Sequence, residues 1–145
     1  MHLEDSLHDD RLLWTTPRRG DGRLFFTGYY GYYGGYGDGG IAPGGYYYGG
    51  WSWASQQVTV VDSATLAHSQ IEAPGVWNVV PSGKSLVLAP SAGQPLSVID
   101  GSDAEHPILN TGKETALGYT NHLSISGKDV YLSQGDGGVQ HMLLP

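Results

Sequence analysis

Short apolar runs alternate along the chain with clusters of Gly, Pro, Asn, Asp and Ser. Val58–Val61, Val76–Val80, Leu86–Leu88, Leu96–Ile99 and Val130–Leu132 are such runs, and most are rich in β-branched residues. From residue 11 to residue 145 no long segment places apolar side chains three and four apart, the spacing that lines one face of a helix. Short β-rich runs bounded by turn residues predict an all-β sandwich, barrel or propeller. Leu3 to Leu7 reads equally as a helical turn or a stray strand.

Internal repetition separates these architectures. Three strands open just after a glycine: Leu24–Thr27 after Gly22, Leu86–Ala89 after Gly83, and Val130–Ser133 after Gly127. Each is followed by a loop and a second strand, at Val58–Asp62, Leu96–Asp100 and Val139–Leu143. Leu86 and Val130 are 44 positions apart, the size of one four-stranded propeller blade. Leu24 and Leu86 are 62 apart, and the excess falls in one loop, between Gly28 and Ser55. Gly83 and Gly127 can take the positive φ that a tight hairpin demands. Asp62 and Asp100 end their strands where a carboxylate can cap the next turn. A small sheet with two apolar faces needs a neighbour on each, so such units stack. The expected fold is all-β: an incomplete β-propeller of about three blades of antiparallel strands with one long Gly/Tyr-rich loop insertion. Residues 1–10 form a tail, and 11–145 a single partial propeller domain. Its blades fall at about 11–73, 74–116 and 117–145, with the insertion at 28–55.

The segments Val58–Leu66 and Pro74–Ala89 resemble the YVTN-type propeller repeat. Leu96–Pro107, Gly118–Ser133 and Gly137–Met142 resemble the LVIVD-type repeat of secreted bacterial propellers. The resemblance covers Val58 to Met142; residues 11–27 fit loosely, and 1–10 and 28–55 fit nothing. It implies inner strands at Leu12–Thr15, Val76–Val80 and His122–Ile125, and outer strands at His68–Glu72 and Ile108–Gly112. The last blade would stop at its third strand. Three blades fall short of the usual minimum of about four for a ring. The resemblance therefore implies the C-terminal part of a larger protein, or a ring closed by several copies of this one. It also implies an extracytoplasmic setting, periplasmic or secreted.

Charge narrows the partners. The chain has 7 Lys and Arg against 14 Asp and Glu, formally −7. Phosphate binding needs clustered cations, so no nucleic-acid partner is expected. Arg11, Arg18, Arg19 and Arg23 are loosely grouped and flanked by Asp9, Asp10 and Asp21. No Cys is present, which removes disulfides, thiolate metal sites and a Cys nucleophile. No apolar stretch is long enough to span a bilayer as a helix. Met1–Asp10 carries four acidic residues and no Lys or Arg, the opposite of a signal peptide's basic start.

The most unusual stretch is Gly28–Gly50, where 11 of 23 residues are Gly and 8 are Tyr, with Trp51 and Trp53 directly after it. Tyr and Trp give large contact area at low entropic cost, and Gly lets them adapt. Tyr46, Tyr47, Tyr48, Trp51 and Trp53 are therefore candidate ligand-binding residues, for protein or carbohydrate. The same composition also describes a flexible spacer, or a self-associating tract. Gly34–Gly40 matches calcium-binding Gly-Asp repeats only out of register and only once. Asp100, Asp103, Glu105 and Asp136 suit turn capping better than a metal site. Of the six His residues, none pairs with another at metal-ligand spacing. His106 precedes Pro107 in a turn and reads as structural, whereas His122 falls on an innermost strand and is the His to choose for a ligand. Trp77 reads as packing between blades.

No serine elbow and no phosphate loop is present, so neither catalysis nor a cofactor is expected of this chain. The expected function is a non-catalytic propeller scaffold for protein or carbohydrate recognition. Its partner could also be the rest of its own propeller, or further copies in a homo-oligomer. The alternatives are the C-terminal propeller of a larger extracytoplasmic hydrolase or oxidoreductase, and a Gly/Tyr-mediated self-assembling structural protein.

Overall fold

The computed structural model describes residues 15–28, 56–76 and 78–145. Among the described residues eleven strands form three antiparallel sheets, each a meander in chain order. The first contains β1 (Thr15–Arg19), β2 (Arg23–Gly28), β3 (Gln56–Asp62) and β4 (His68–Ala73). The second contains β5 (Val79–Ser82), β6 (Ser85–Leu88), β7 (Pro95–Asp100) and β8 (Ile108–Thr115). The third has only β9 (His122–Ser126), β10 (Asp129–Ser133) and β11 (Val139–Leu143). The all-β expectation and its antiparallel strands are thus met, and no sheet closes on itself.

Glycine turns fix the registers. Gly22, Gly83 and Gly127 have φ of 65°, 59° and 62°, a region that costs other residues a Cβ clash. With Gly83 and Lys84 in the turn, Ser82 must pair with Ser85, and Val79 with Leu88. That hairpin moves the strand expected over Val76–Val80 to Val79–Ser82. The strand expected over Leu12–Thr15 meets β1 only at Thr15, and Leu12 to Trp14 lie outside the described residues.

Sidedness explains the composition. The inner strands of the second sheet, β6 and β7, are covered on both faces. Leu86, Leu88 and Ile99 pack on Phe25, Val58, Val60 and Ala73 of the first sheet. Val87, Leu96 and Val98 point the other way, onto Val130, Leu132 and Met142 of the third. This is why β6 and β7 read as continuous apolar runs and not as alternating ones. The stack is ordered strand by strand, since β1 contacts β5 and β4 contacts β8.

Polar clamps join the layers at the turns. Arg23 is buried and donates from Nε to the Gly101 carbonyl (2.5 Å) and from Nη2 to the Ser102 carbonyl (2.6 Å), both in the turn that follows β7. Its Nη1 donates to the Gly22 carbonyl and to Asp62 Oδ2, each at 2.9 Å. Between the second and third sheets, Asn78 Nδ2 donates to the carbonyls of Thr120 (3.1 Å) and Asn121 (2.7 Å). Gln140 also braces the linker, accepting from Leu117 N at Oε1 and donating from Nε2 to the Thr115 carbonyl.

Candidate functional site

The outer face of the third sheet gathers aromatic, imidazole, hydroxyl and aliphatic side chains on one exposed surface. Its strands alternate strictly, because period-two side chains share faces. Leu123, Ile125, Val130, Leu132 and Met142 turn inward to the core. The opposite face is a grid set by the register: His122–Ser133–Val139, Ser124–Tyr131–His141 and Ser126–Asp129–Leu143. Tyr131, Val139 and Leu143 are exposed there at 45%, 74% and 59%.

Tyr131 and His141 stack, with ring centroids 5.0 Å apart and planes inclined by 30°. His141 Nε2 lies 2.7 Å from Asp129 Oδ1, which fixes the ring over the strand. A shallow depression of about 230 Å³ opens beside them, lined in part by His122, Ser124, Tyr131, Ser133 and Val139. An aromatic ring with apolar neighbours, hydroxyls and imidazoles is the composition of an interface core with a polar rim.

Two other concavities flank the third sheet. One, of about 220 Å³, lies between Asn78, Pro90, Ser91, Tyr119 and Thr120. There the Thr120 hydroxyl donates to the Pro90 carbonyl at 2.9 Å, and Tyr119 is 70% exposed. The other, of about 320 Å³, runs between β8 and β11.

Of the residues singled out in the sequence, His122 lies on this outer face, exposed at the start of β9. Tyr46, Tyr47, Tyr48, Trp51 and Trp53 lie outside the described residues, as does Trp77. Tyr131 and His141 were missed. Their signal is the alternation of Val139, His141 and Leu143 opposite Asp129, Tyr131 and Ser133, which requires knowing the hairpin register.

The turn acids cap backbone. Asp62 Oδ1 accepts from the amides of Ala64 (2.8 Å) and Thr65 (3.0 Å). Asp100 Oδ1 accepts from the Ser102 hydroxyl (2.6 Å) and amide (2.9 Å). Asp103 Oδ1 accepts from the Glu105 amide, and its Oδ2 lies 3.1 Å from His106 Nδ1. Among the described residues no three His or acidic side chains gather as a metal site.

These bonds set a pH dependence. The amides of Thr65 and Ala64 hold Asp62 below its ordinary value, with Arg23 adding to the effect. The Ser102 hydroxyl and amide do so for Asp100, and the His106 ring followed by the Glu105 amide for Asp103. A folded value below the unfolded 3.8 means that the unfolded chain binds protons first. The stabilisation is complete above that unfolded value and is lost as pH falls through the lowered ones. Thermal melting temperature should therefore be level down to about pH 5 and drop below about pH 4. Asp100→Asn should shrink that drop; an identical acid limb in the variant would show that the cap carries no linkage.

Among the described residues no helix is long and apolar enough to cross a membrane. Comparison with models of known families, with curated proteins and with solved structures finds no match to this chain.

Proposed function

We propose that this chain is a non-catalytic recognition scaffold built as an incomplete β-propeller of the YVTN/LVIVD type, and that it binds a protein partner on the outer face of its third sheet. The supporting observation is the asymmetry of that sheet. Its inner face is almost wholly apolar and buried, whereas its outer face mixes Tyr131, Val139 and Leu143 with His122, His141, Asp129 and serines. A face made to receive another sheet would carry the aliphatic residues that the central sheet shows on both sides. A stacked Tyr–His pair ringed by hydroxyls suits a partner surface, where Tyr is favoured as a rigid amphipathic anchor. The Tyr- and Trp-rich stretch at 28–55 adds a second candidate surface of the same chemistry.

Selection of binders from a displayed random peptide library tests this reading, because such libraries enrich for sequences that fill recognition surfaces. Recovered binders should lose at least about tenfold in affinity on Tyr131→Ser, the loss of one anchor residue. Binders that ignore Tyr131→Ser but fail on the Tyr46, Tyr47 and Tyr48 triple Ser variant would move the surface to the insertion. Binders indifferent to both would sink the recognition reading.

A further inference from the structure

The concavity of about 220 Å³ between the second and third sheets has neutral, polar walls. It lies where Asn78 leads into β5, where the chain leaves β6 through Pro90 and Ser91, and where Tyr119 to Asn121 lead into β9. None of the residues lining it carries a formal charge. In a chain of formal charge −7 the site does not attract an anion, and no carboxylate lines it to hold a cation.

Hydrogen bonds from both sheets fix its walls. Ala89 N donates to the Asn78 carbonyl at 2.9 Å, which pins the approach to β5 against the end of β6. Asn121 N donates to the Ser133 carbonyl at 2.8 Å, at the end of β10. The turn after β6 is closed by Gln94 N on the Ser91 carbonyl and by Ser91 N on Gln94 Oε1. Gly93 N donates to the Ala116 carbonyl and Ala116 N to the Gln94 carbonyl, each at 2.8 Å. These two bonds tie that turn to the linker that runs on to Tyr119. Backbone held in this way loses little further entropy when a ligand enters.

The same bonds leave a set of uncommitted polar groups. Asn78 uses both amide hydrogens on the Thr120 and Asn121 carbonyls, so Oδ1 is the end left over. The Thr120 hydroxyl gives its one hydrogen to the Pro90 carbonyl and keeps its capacity to accept. Among the described residues none bonds the hydroxyls of Ser91 and Tyr119 or the side-chain amide of Asn121. Tyr119 is also 70% exposed, so its aromatic ring is largely uncovered beside these groups.

We propose that this concavity binds one ring of a neutral saccharide. A sugar ring carries a hydroxyl at nearly every carbon, and each hydroxyl both donates and accepts. That matches a wall with two acceptors, Asn78 Oδ1 and Thr120 Oγ1, beside groups on Ser91 and Asn121 that do both. The C–H face of a sugar is apolar and suits the face of an exposed aromatic ring such as Tyr119. The volume lies below the roughly 300–1,000 Å³ of sites for drug-sized ligands, which limits the occupant to about one ring. A peptide segment of that size would bring one N–H and one C=O and leave most of the wall unpaired. This inference goes beyond the protein-binding reading, because the concavity shares no lining residue with the depression beside Tyr131.

The test is an amide NMR titration of the full chain with the methyl glycosides of glucose, galactose, mannose and N-acetylglucosamine. At least one should shift the Ser91, Tyr119, Thr120 and Asn121 amides saturably. The expected dissociation constant is about 1–10 mM, the range for a ligand of one ring. Tyr119→Ala should weaken that binding at least about tenfold, and Tyr119→Phe less than about threefold, since the ring face remains. Asn121→Ala removes a side chain that bonds nothing else and should weaken it about fivefold. That variant still decides should Tyr119→Ala unfold. Glycerol, a polyol without a ring, should give no saturable shift. Absence of saturable shifts with all four glycosides overturns the proposal. So do shifts that both alanine variants leave unchanged, or that glycerol reproduces. Saturable shifts at these amides with a blocked alanine (N-acetyl, N-methylamide) but with no glycoside would overturn it in favour of a peptide site. Failure here leaves the outer-face reading standing, because Tyr131→Ser is read separately.

Discussion

Arg23→Ala should lower the unfolding free energy by about 3 kcal/mol, the range for removing one partner of a buried charged network. The loss exceeds that of a surface ion pair, because three backbone carbonyls lose a donor along with the carboxylate. Gly101 and Ser102 belong to the turn after β7, so the clamp ties the first sheet to the second. Asp62 sits at 24% side-chain exposure and can be partly rehydrated, which keeps the figure below the 5 kcal/mol extreme. Arg23→Lys keeps the charge but not the fork, and should lose about half as much, since one ammonium cannot reach all four acceptors. Urea denaturation reads both values. A loss under about 1 kcal/mol for Arg23→Ala would place the clamp among solvated surface pairs.

Local chemistry made much of the fold legible. Gly83 and Gly127 announced hairpins because no other residue takes positive φ without cost. Asp62 and Asp100 announced caps because a carboxylate two residues before an amide has one short bond to make. The outer strands expected at His68–Glu72 and Ile108–Gly112 correspond to β4 and β8. Arg23 stayed hidden among other arginines, since its acceptors Gly101 and Ser102 lie 78 and 79 positions away. Nothing in a local pattern encodes that distance. The Tyr131–His141 pair stayed hidden for a related reason: its residues meet only once the 3₁₀ turn Gly135–Gly137 has set the register of β10 against β11. The turn at Leu66, a non-glycine with φ of 63°, gave no sequence signal either. It is held by Leu66 N donating to the Asp62 carbonyl at 2.8 Å, a bond that sequence spacing alone does not announce.

Phe25→Ala should cost about 4 kcal/mol, within the range for emptying a buried aromatic site. Phe25 is fully buried and packs with Val58, Val60, Leu86, Leu88 and Ile99. The upper part of the range applies because the walls cannot collapse inward. A Cβ on Gly101 would already stand 3.1 Å from the Phe25 ring, so backbone forms that wall, and Gly101 N is bonded to the Lys84 carbonyl at 2.9 Å. Gly20 walls the other ring edge and is held through its amide to the Arg23 carbonyl. Phe25→Leu keeps most of the volume and should lose under about 2 kcal/mol. Where the damage spreads is the more informative reading. Leu86 and Val87 are neighbours on β6 that face opposite cores, so disorder on the Phe25 side reaches the third sheet through one rigid strand. Exchange at the Val130 and Leu132 amides should therefore quicken in Phe25→Ala, although neither residue belongs to the Phe25 core. Unchanged protection there would mean that the sheets unfold as a loosely coupled linear stack, each layer held mainly by its nearest neighbour.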